Sequence, residues 1–242
     1  MIQPRYRTVA ILPMKANSER VPGKNFRVFA GKPLFQWVLD TLLSLETIEA
    51  VVINTDARSL LSRHGLVGSD RVLIRDRPEE LLGDEVSMNL IIENDINAID
   101  AKTYVMTHTT NPLLSASTIS RALSAYVRSV AKGSSDSLFS VSRFQTRFYR
   151  GDGTPVNHDP KNLLRTQDLE PWYEENSNLY VFSRESFEST NSRIGANPLL
   201  FETSRSESFD IDDQEGWDLA EIVAEYLQLQ RSAVSSAKKG QV

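Results

Sequence analysis

The sequence predicts an α/β fold: a mostly parallel sheet with helices on both faces, three layers in all. Three observations carry that expectation. Short β-branched or aromatic runs alternate with amphipathic stretches through the first two-thirds of the chain, the pattern left by successive βαβ units. The 242 residues suffice for one large domain with room for a small inserted lobe. The 40% hydrophobic and 24% charged contents are ordinary for a chain that folds around a core.

Taken in order, Thr8–Pro13 (TVAILP) reads as the first strand. In Leu34–Leu45, residues Leu34, Trp37, Val38, Thr41, Leu42 and Leu45 recur at spacings of three and four, which predicts a helix. Ala50–Asn54 (AVVIN), Arg71–Ile74 (RVLI) and Thr103–Thr107 (TYVMT) read as further strands. Ser115–Thr118 can cap a helix carrying Ile119, Leu123, Tyr126 and Val127, and Ser137–Val141 (SLFSV) returns to the sheet.

The period then breaks. Residues 142–175 mix aromatics, Arg, Gly and Pro, and read as an inserted flap, lobe or oligomer contact within a single domain. Strand signals resume at Asn178–Phe182 and Leu199–Glu202. Leu219, Ile222, Val223, Tyr226 and Leu227 predict a final helix with one apolar stripe. Residues 231–242 read as a flexible tail.

Composition removes several function classes. A net charge of −5 argues against duplex nucleic acid as main partner, since that needs a basic face. With no cysteine, disulfides, thiolate metal sites and Cys nucleophiles are excluded. The apolar run Val9–Leu12 is too short to span a membrane or serve as a signal-peptide core, so no membrane partner and a cytoplasmic location are expected.

In a parallel α/β sheet, ligands sit at the carboxyl ends of the strands. The first strand exits into "LPMKANSERVPGKN", Leu12–Asn25. This loop lacks the pattern of a Walker A or a dinucleotide turn. It offers Lys15, Arg20 and Lys24 as cations, Asn17, Ser18 and Asn25 as neutral donors, and Pro22-Gly23 for a fixed turn, a set suited to phosphate oxygens. An ordinary solvated surface loop has the same composition. Near the other end, "FDIDD" places Asp210 and Asp212 on one side of an extended segment, with Cα atoms roughly 6–7 Å apart at about 3.3 Å per residue. Two such carboxylates can converge on Mg²⁺, which favours a few carboxylates plus waters and substrate phosphates. The alternative is that Asp212 or Asp213 caps the last helix, with Glu215 placed as in a capping box.

Five segments together resemble the acylneuraminate cytidylyltransferases, the CMP-sialic acid synthetase family. "PMKANSERVPGKN" is similar to that family's P-A-R-x-x-S-K-x-x-P-x-K-N opening, and Arg77–Leu81 with "GDEVS" to its R-P-x-x-L-x-x-D-x-x-S segment. "THTTNPLL" stands where the family has L-Q-P-T-S-P-L-R, "ENSNLYVF" resembles its N-G-x-x-Y strand, and "SFDIDDQEGWDLAE" resembles its D-I-D-x-x-x-D-x-x-x-A-E ending. The resemblance implies a nucleotidyltransferase fold with an inserted dimerisation lobe. It implies CTP as nucleotide, an acidic sugar as partner and a homodimer or dimer-based oligomer.

On this reading Lys15, Asn17, Ser18, Arg20, Lys24, Asn25, Arg77 and Ser87 face the nucleotide, and Asp210 and Asp212 hold magnesium. His108, Thr110, Asn111, Asn176 and Tyr180 face the sugar. Arg147, Arg150 and Arg165, with Arg143, suit carboxylate recognition or an oligomer contact. His108 admits two readings, a sugar contact or a satisfied, partly buried imidazole. The chain departs from the family pattern at Lys15, His108, Leu114 and Glu174, and the last three fall on the expected sugar side. The expected reaction joins CTP to a sialic-acid-like nonulosonic acid. A Kdo or sugar-phosphate nucleotidylyltransferase, a metal-dependent glycosyltransferase and a non-catalytic nucleotide binder are the alternatives.

Overall fold

The computed structural model describes residues 5–239, with side chains through residue 230. The chain runs β1 (Tyr6–Ile11), β2 (Val28–Phe29), β3 (Lys32–Pro33), α1 (Leu34–Leu43), β4 (Ala50–Thr55), α2 (Arg58–Arg63), β5 (Val72–Asp76) and α3 (Met88–Ala98). There follow β6 (Ala101–Met106), α4 (Ala116–Ala131), β7 (Ser137–Phe144), β8 (Trp172–Phe182), α5 (Arg184–Thr190), β9 (Pro198–Glu202) and α6 (Gln214–Lys239).

Seven strands form one mixed sheet in the order β5-β4-β1-β6-β8-β7-β9, and only β8 runs against the others. Alternation along the central strands divides the core into two layers. Ala10 and Leu12, with Val51, Ile53 and Val105, face α1 and α4 through Phe35, Val38, Ile119 and Ala122. Val9, Ile11, Val52, Tyr104 and Met106 face the opposite way, toward Ile92 and Ile96 of α3 and Phe187 of α5. The expected three layers are present.

A third cluster sets the position of the last helix. Trp217, Ala220 and Ala224 pack on Val21, Phe29, Leu34 and Ile211. The predicted stripe meets this face only in part: Val223 packs against the cluster, whereas Leu219, Ile222 and Tyr226 are exposed. The helix docks through its Trp and Ala edge because small side chains allow close approach to the β2–β3 hairpin. That hairpin turns on Ala30 and Gly31, both at positive φ (42° and 98°), the pairing a two-residue primed turn requires. Glu221 accepts the Ala30 N–H at 2.7 Å and so fastens the turn to α6.

Other departures have local causes. The predicted break at residue 142 comes later, because the ends of that stretch are sheet: Ser142, Arg143 and Phe144 pair with Glu174, Tyr173 and Trp172. The inserted lobe proper is the loop joining β7 to β8, residues 145–171. Helices α2, α3 and α5 went unread; they are short or carry Asn, Asp and Ser, which weaken any helical pattern. Helix α6 continues to Lys239, through most of the stretch read as a tail, while residues 240–242 lie outside the described residues. Among the described residues, no helix is long and apolar enough to cross a membrane.

Candidate active site

The strand order reverses at β1. The chain steps outward from β1 to β4 and β5, then returns to the other side of β1 as β6. Loops leaving β1 and β6 therefore part, opening a crevice at their carboxyl ends. A cleft of about 340 Å³ lies there, with walls that include Lys15, Arg20, Lys24, Arg77, His108 and Asp212.

The β1 exit loop has built structure. Val21 is buried and Lys24 N–H donates to the Val21 carbonyl at 3.1 Å, closing a turn across Pro22-Gly23. Gly23 supplies the left-handed φ of 62° that this turn needs. Asn25 is buried and ties two exits together: its amide donates to the Lys15 carbonyl at 2.8 Å, and its oxygen accepts from Thr109 Oγ1 at 2.6 Å. Asn25 is committed to the loop's shape, whatever it offers a ligand.

The turn delivers Lys24 to the C-terminal acidic segment. Its ammonium, only 10% exposed, donates to the Ile211 carbonyl at 2.6 Å and stands 3.7 Å from Asp212 Oδ1. Arg20 reaches the same oxygen at 3.2 Å. Burial pulls the Lys24 ammonium below its ordinary pKa, against the opposing pull of Asp212 and Asp210. Residues 209–213 belong to no strand, contrary to a strand reading; Ile211 N–H donates to the Thr110 carbonyl at 2.9 Å, and Ile211 is fully buried. The alternation survives, so Asp210 and Asp212 share the side away from the core.

The capping question resolves on Asp213. Its Oδ1 accepts the Gly216 N–H at 2.7 Å at the start of α6, and Asp212 is left facing the two cations. Desolvation and the neighbouring Asp212 charge raise the Asp210 carboxyl above the usual carboxylate range, with the Thr110 hydroxyl hydrogen bond opposing. Two carboxylates that repel one another beside a cationic cleft are a donor set a divalent cation would complete. Among the described residues no group of three or more His, Cys, Asp or Glu side chains is placed to hold a metal ion.

Other expected nucleotide residues divide into cleft and scaffold. Lys15 borders the cleft and pairs with Asp84, whose carboxyl is held below its ordinary range by that ammonium. Ser18 also borders the cleft, whereas Asn17 is exposed and outside its walls. Arg77 spends its guanidinium on the Asn54 side chain (3.0 Å) and the Met14 and Asn54 carbonyls (3.1 and 3.0 Å), bracing the β1 and β4 exits. Ser87 is the N-cap of α3, accepting from Asn89 N–H, and does not line the cleft.

On the sugar side, His108 and Thr110 border the cleft. Burial, then the charges of Arg193 and Lys24, push the His108 imidazole down to about 3, so it is neutral near pH 7. Asn111 is buried and donates to the Phe209 carbonyl at 3.2 Å, which fastens the acidic segment to the β6 exit. Asn176 also turns inward: its amide donates to Thr203 Oγ1 at 2.8 Å and accepts from Ser140 at 2.7 Å. A buried amide engaged on both sides is scaffold. Leu114, expected on the sugar side, lies in the core behind it, 2% exposed. Glu174 pairs with Ser142 in the β7–β8 ladder.

Tyr180 is buried with its hydroxyl bonded to Glu175 and Arg193 stacked 3.9 Å above its ring, and burial pushes its pKa up to about 12. The lobe arginines stay in the lobe. Arg147 donates to the Leu164 carbonyl at 2.6 Å, Arg165 forks onto Asp168 at 2.7 and 3.0 Å, and Arg150 is exposed. None of the three lines the cleft. Asp84 and Glu175 lie inside two of the quoted motifs without being singled out, whereas Arg193 sits in a polar stretch where a charged side chain raises no signal.

Residues 9–239 match the model of a family described as cytidylyltransferase. The chain is 23% identical over 228 residues to the pseudaminic acid cytidylyltransferase of Campylobacter jejuni, covering 90% of this chain and 96% of that one. It is 27% identical over 234 residues to the CMP-N,N′-diacetyllegionaminic acid synthase of Legionella pneumophila, covering 90% and 97%. Among solved structures, it superposes on a CMP:2-keto-3-deoxy-manno-octonic acid synthetase complexed with CTP at a TM-score of 0.63 and 13% identity, over 92% of this chain and 99% of that one. That likeness speaks to the fold.

Proposed function

The chain belongs to the cytidylyltransferase family, and from that premise we propose that it transfers CMP from CTP to an acidic nine-carbon 2-keto sugar, releasing pyrophosphate. The observation that carries this reading is the meeting of Lys24 with Asp212 in one cleft at the β1–β6 switch point, 187 positions separating Lys24 from its Ile211 anchor. The sugar class is supported by two relatives matched over nearly their whole length and named for pseudaminic and legionaminic acids.

In this mechanism the anomeric hydroxyl oxygen attacks the α-phosphorus in line, the bond from that phosphorus to the bridging oxygen breaks, pyrophosphate leaves with the oxygen, and the hydroxyl proton passes to solvent. Lys24 and Lys15 offset charge on the phosphates and on the leaving pyrophosphate. His108, neutral near pH 7, orients a substrate group as a hydrogen-bond partner and does not take the proton as a base. Asp210 and Asp212 would hold Mg²⁺, which supplies further charge neutralisation at the phosphates when bound. No covalent enzyme intermediate is required.

We also read the 145–171 lobe as the contact of a homodimer, on the strength of exposed Tyr149, Leu163, Leu164, Trp172 and Tyr173 on and beside it. A cytoplasmic location completes the proposal, since CTP is drawn from that pool. The decisive experiment incubates the protein with CTP, Mg²⁺ and a set of nonulosonic acids, with mass spectrometry of the product and assay of pyrophosphate. A CMP-sugar with equimolar pyrophosphate is expected. Turnover of another nucleotide only, or nucleotide release without pyrophosphate, would replace this reading with a different nucleotidylyltransferase or a glycosyltransferase. CTP binding without turnover across the set would leave a non-catalytic binder.

A further inference from the structure

One guanidinium near the cleft is under-used. Arg193 lies in the turn after α5, and its side chain is 18% exposed. It makes one hydrogen bond, to Glu175 Oε1 at 3.4 Å, the long limit for such a contact. Arg77 and Arg71, by contrast, each make three. A guanidinium carries five N–H donors, and taking it largely out of water without partners is costly.

The surroundings are arranged to hold that group in place. The face of the guanidinium lies on the Tyr180 ring, which leaves its edge donors free. The turn is fixed behind it: Asn191 closes α5 in the left-handed region, Ile194 packs into the core, and the Arg193 N–H reaches Asn89 Oδ1 at 3.4 Å. Glu175 is brought beneath Arg193 by a bulge in β8, where the β7 register shifts and Ser177 takes a φ of 53°. Non-glycine residues hold that conformation only where their surroundings over-determine it, and such places cluster at ligand sites.

Position completes the argument. Met106, the last residue of β6, pairs with Tyr180, and β8 runs antiparallel. Glu175 therefore lies beyond the β6 exit, on the same edge of the sheet as His108. The charges of Arg193 and Lys24 both act on the His108 imidazole, so both cations lie near it.

Resting on the cytidylyl-transfer reading, we propose that Arg193 receives the carboxylate of the sugar acid, displacing Glu175 as its counter-ion. Preference for an acidic sugar then resides in the turn after α5 and not in the arginines of the 145–171 lobe. Arg193 is a specificity residue: it grips the group beside the attacking hydroxyl and takes no part in bond making.

The test uses steady-state kinetics of the full chain with pseudaminic, N,N′-diacetyllegionaminic and N-acetylneuraminic acids, and with the methyl ester of whichever acid turns over. Arg193→Gln is expected to raise the KM for the acid by about 30-fold, as for loss of a charged hydrogen-bonded pair, while the KM for CTP stays within about twofold. The wild-type preference for acid over ester should collapse toward unity in this variant, which a merely structural role would not produce. Arg193→Lys keeps the charge but loses the fork, and should show an intermediate preference. It decides the matter alone if Arg193→Gln no longer gains thermal stability from CTP. Wild-type turnover with an unchanged acid KM in Arg193→Gln, or a wild-type acid preference in Arg193→Lys with Arg193→Gln unfolded, overturns this inference only. Absence of any wild-type turnover across the three acids removes the cytidylyl-transfer reading and this one with it.

Discussion

The β1 exit loop and the 145–171 lobe are both irregular, cation-bearing departures from the sheet, yet they treat their charges in opposite ways. In the lobe, Arg165 is neutralised three residues away by Asp168 and Arg147 is used by a nearby carbonyl. In the β1 loop, Lys24 is buried, and its partners Ile211 and Asp212 come from the far end of the chain. Locally satisfied charges on a surface contribute little beyond solubility and contact. A cation drawn into a shared cleft by distant anions is arranged for a ligand. Both segments carry several cations; the range of the pairing separates them.

Several substitutions would break or sharpen this contrast. The largest effect is expected from Asp210→Asn, which should lower kcat by about 100-fold or more through lost charge stabilisation. CTP should still raise the melting temperature of the variant. Wild-type turnover under a Mg²⁺ titration would put Asp210 on a level with the lobe's carboxylates. Next, Lys24→Ala should raise the KM for CTP by about 30-fold, the size expected for a charge-assisted bond, and disturb the sugar KM far less. The reverse order would move Lys24 out of the phosphate half of the cleft.

A smaller effect concerns pH. The folded protein holds His108 at about 3, against an ordinary value of 6.5. The unfolded chain therefore takes up a proton as pH falls through 6.5, and the folded chain does not until about 3. Folding stability is fully present above that window and declines within it, by about 1–2 kcal/mol between pH 7 and pH 5. Urea unfolding of wild type and His108→Gln at both values should show the slope only in wild type. Equal slopes would mean that burial and the cleft's cations do not hold the imidazole down as described. The smallest effect belongs to Arg165→Ala, whose exposed ion pair should cost less than about 0.5 kcal/mol and leave the KM for CTP within about twofold.

Much of the fold was legible because its signals are local. The seven sheet strands all lie where β-branched runs fall, and α1 and α4 follow their apolar spacing. What misled was any feature decided by a partner. The apolar stripe of α6 pointed to Leu219, Ile222 and Tyr226, but docking on the β2–β3 hairpin favours the flat edge of Trp217 and Ala220. The same division holds at the site. Lys24 and Asp212 announce themselves through spacing and charge. Arg193 does not, since nothing in "NSRIG" foretells the ring of Tyr180 waiting for it in the sheet. Asn176 offered the opposite illusion: a polar residue in a motif position whose amide is consumed by its own chain.

The bond from Lys24 to the Ile211 carbonyl has an implication for synthesis. A ribosome finishes the β1 loop long before the acidic segment, 187 positions separating Lys24 from Ile211. Until residues 209–217 emerge and seat themselves, the lysine has no anchor and the cleft has no acidic wall. The cleft is therefore completed only when two segments 187 positions apart have found each other.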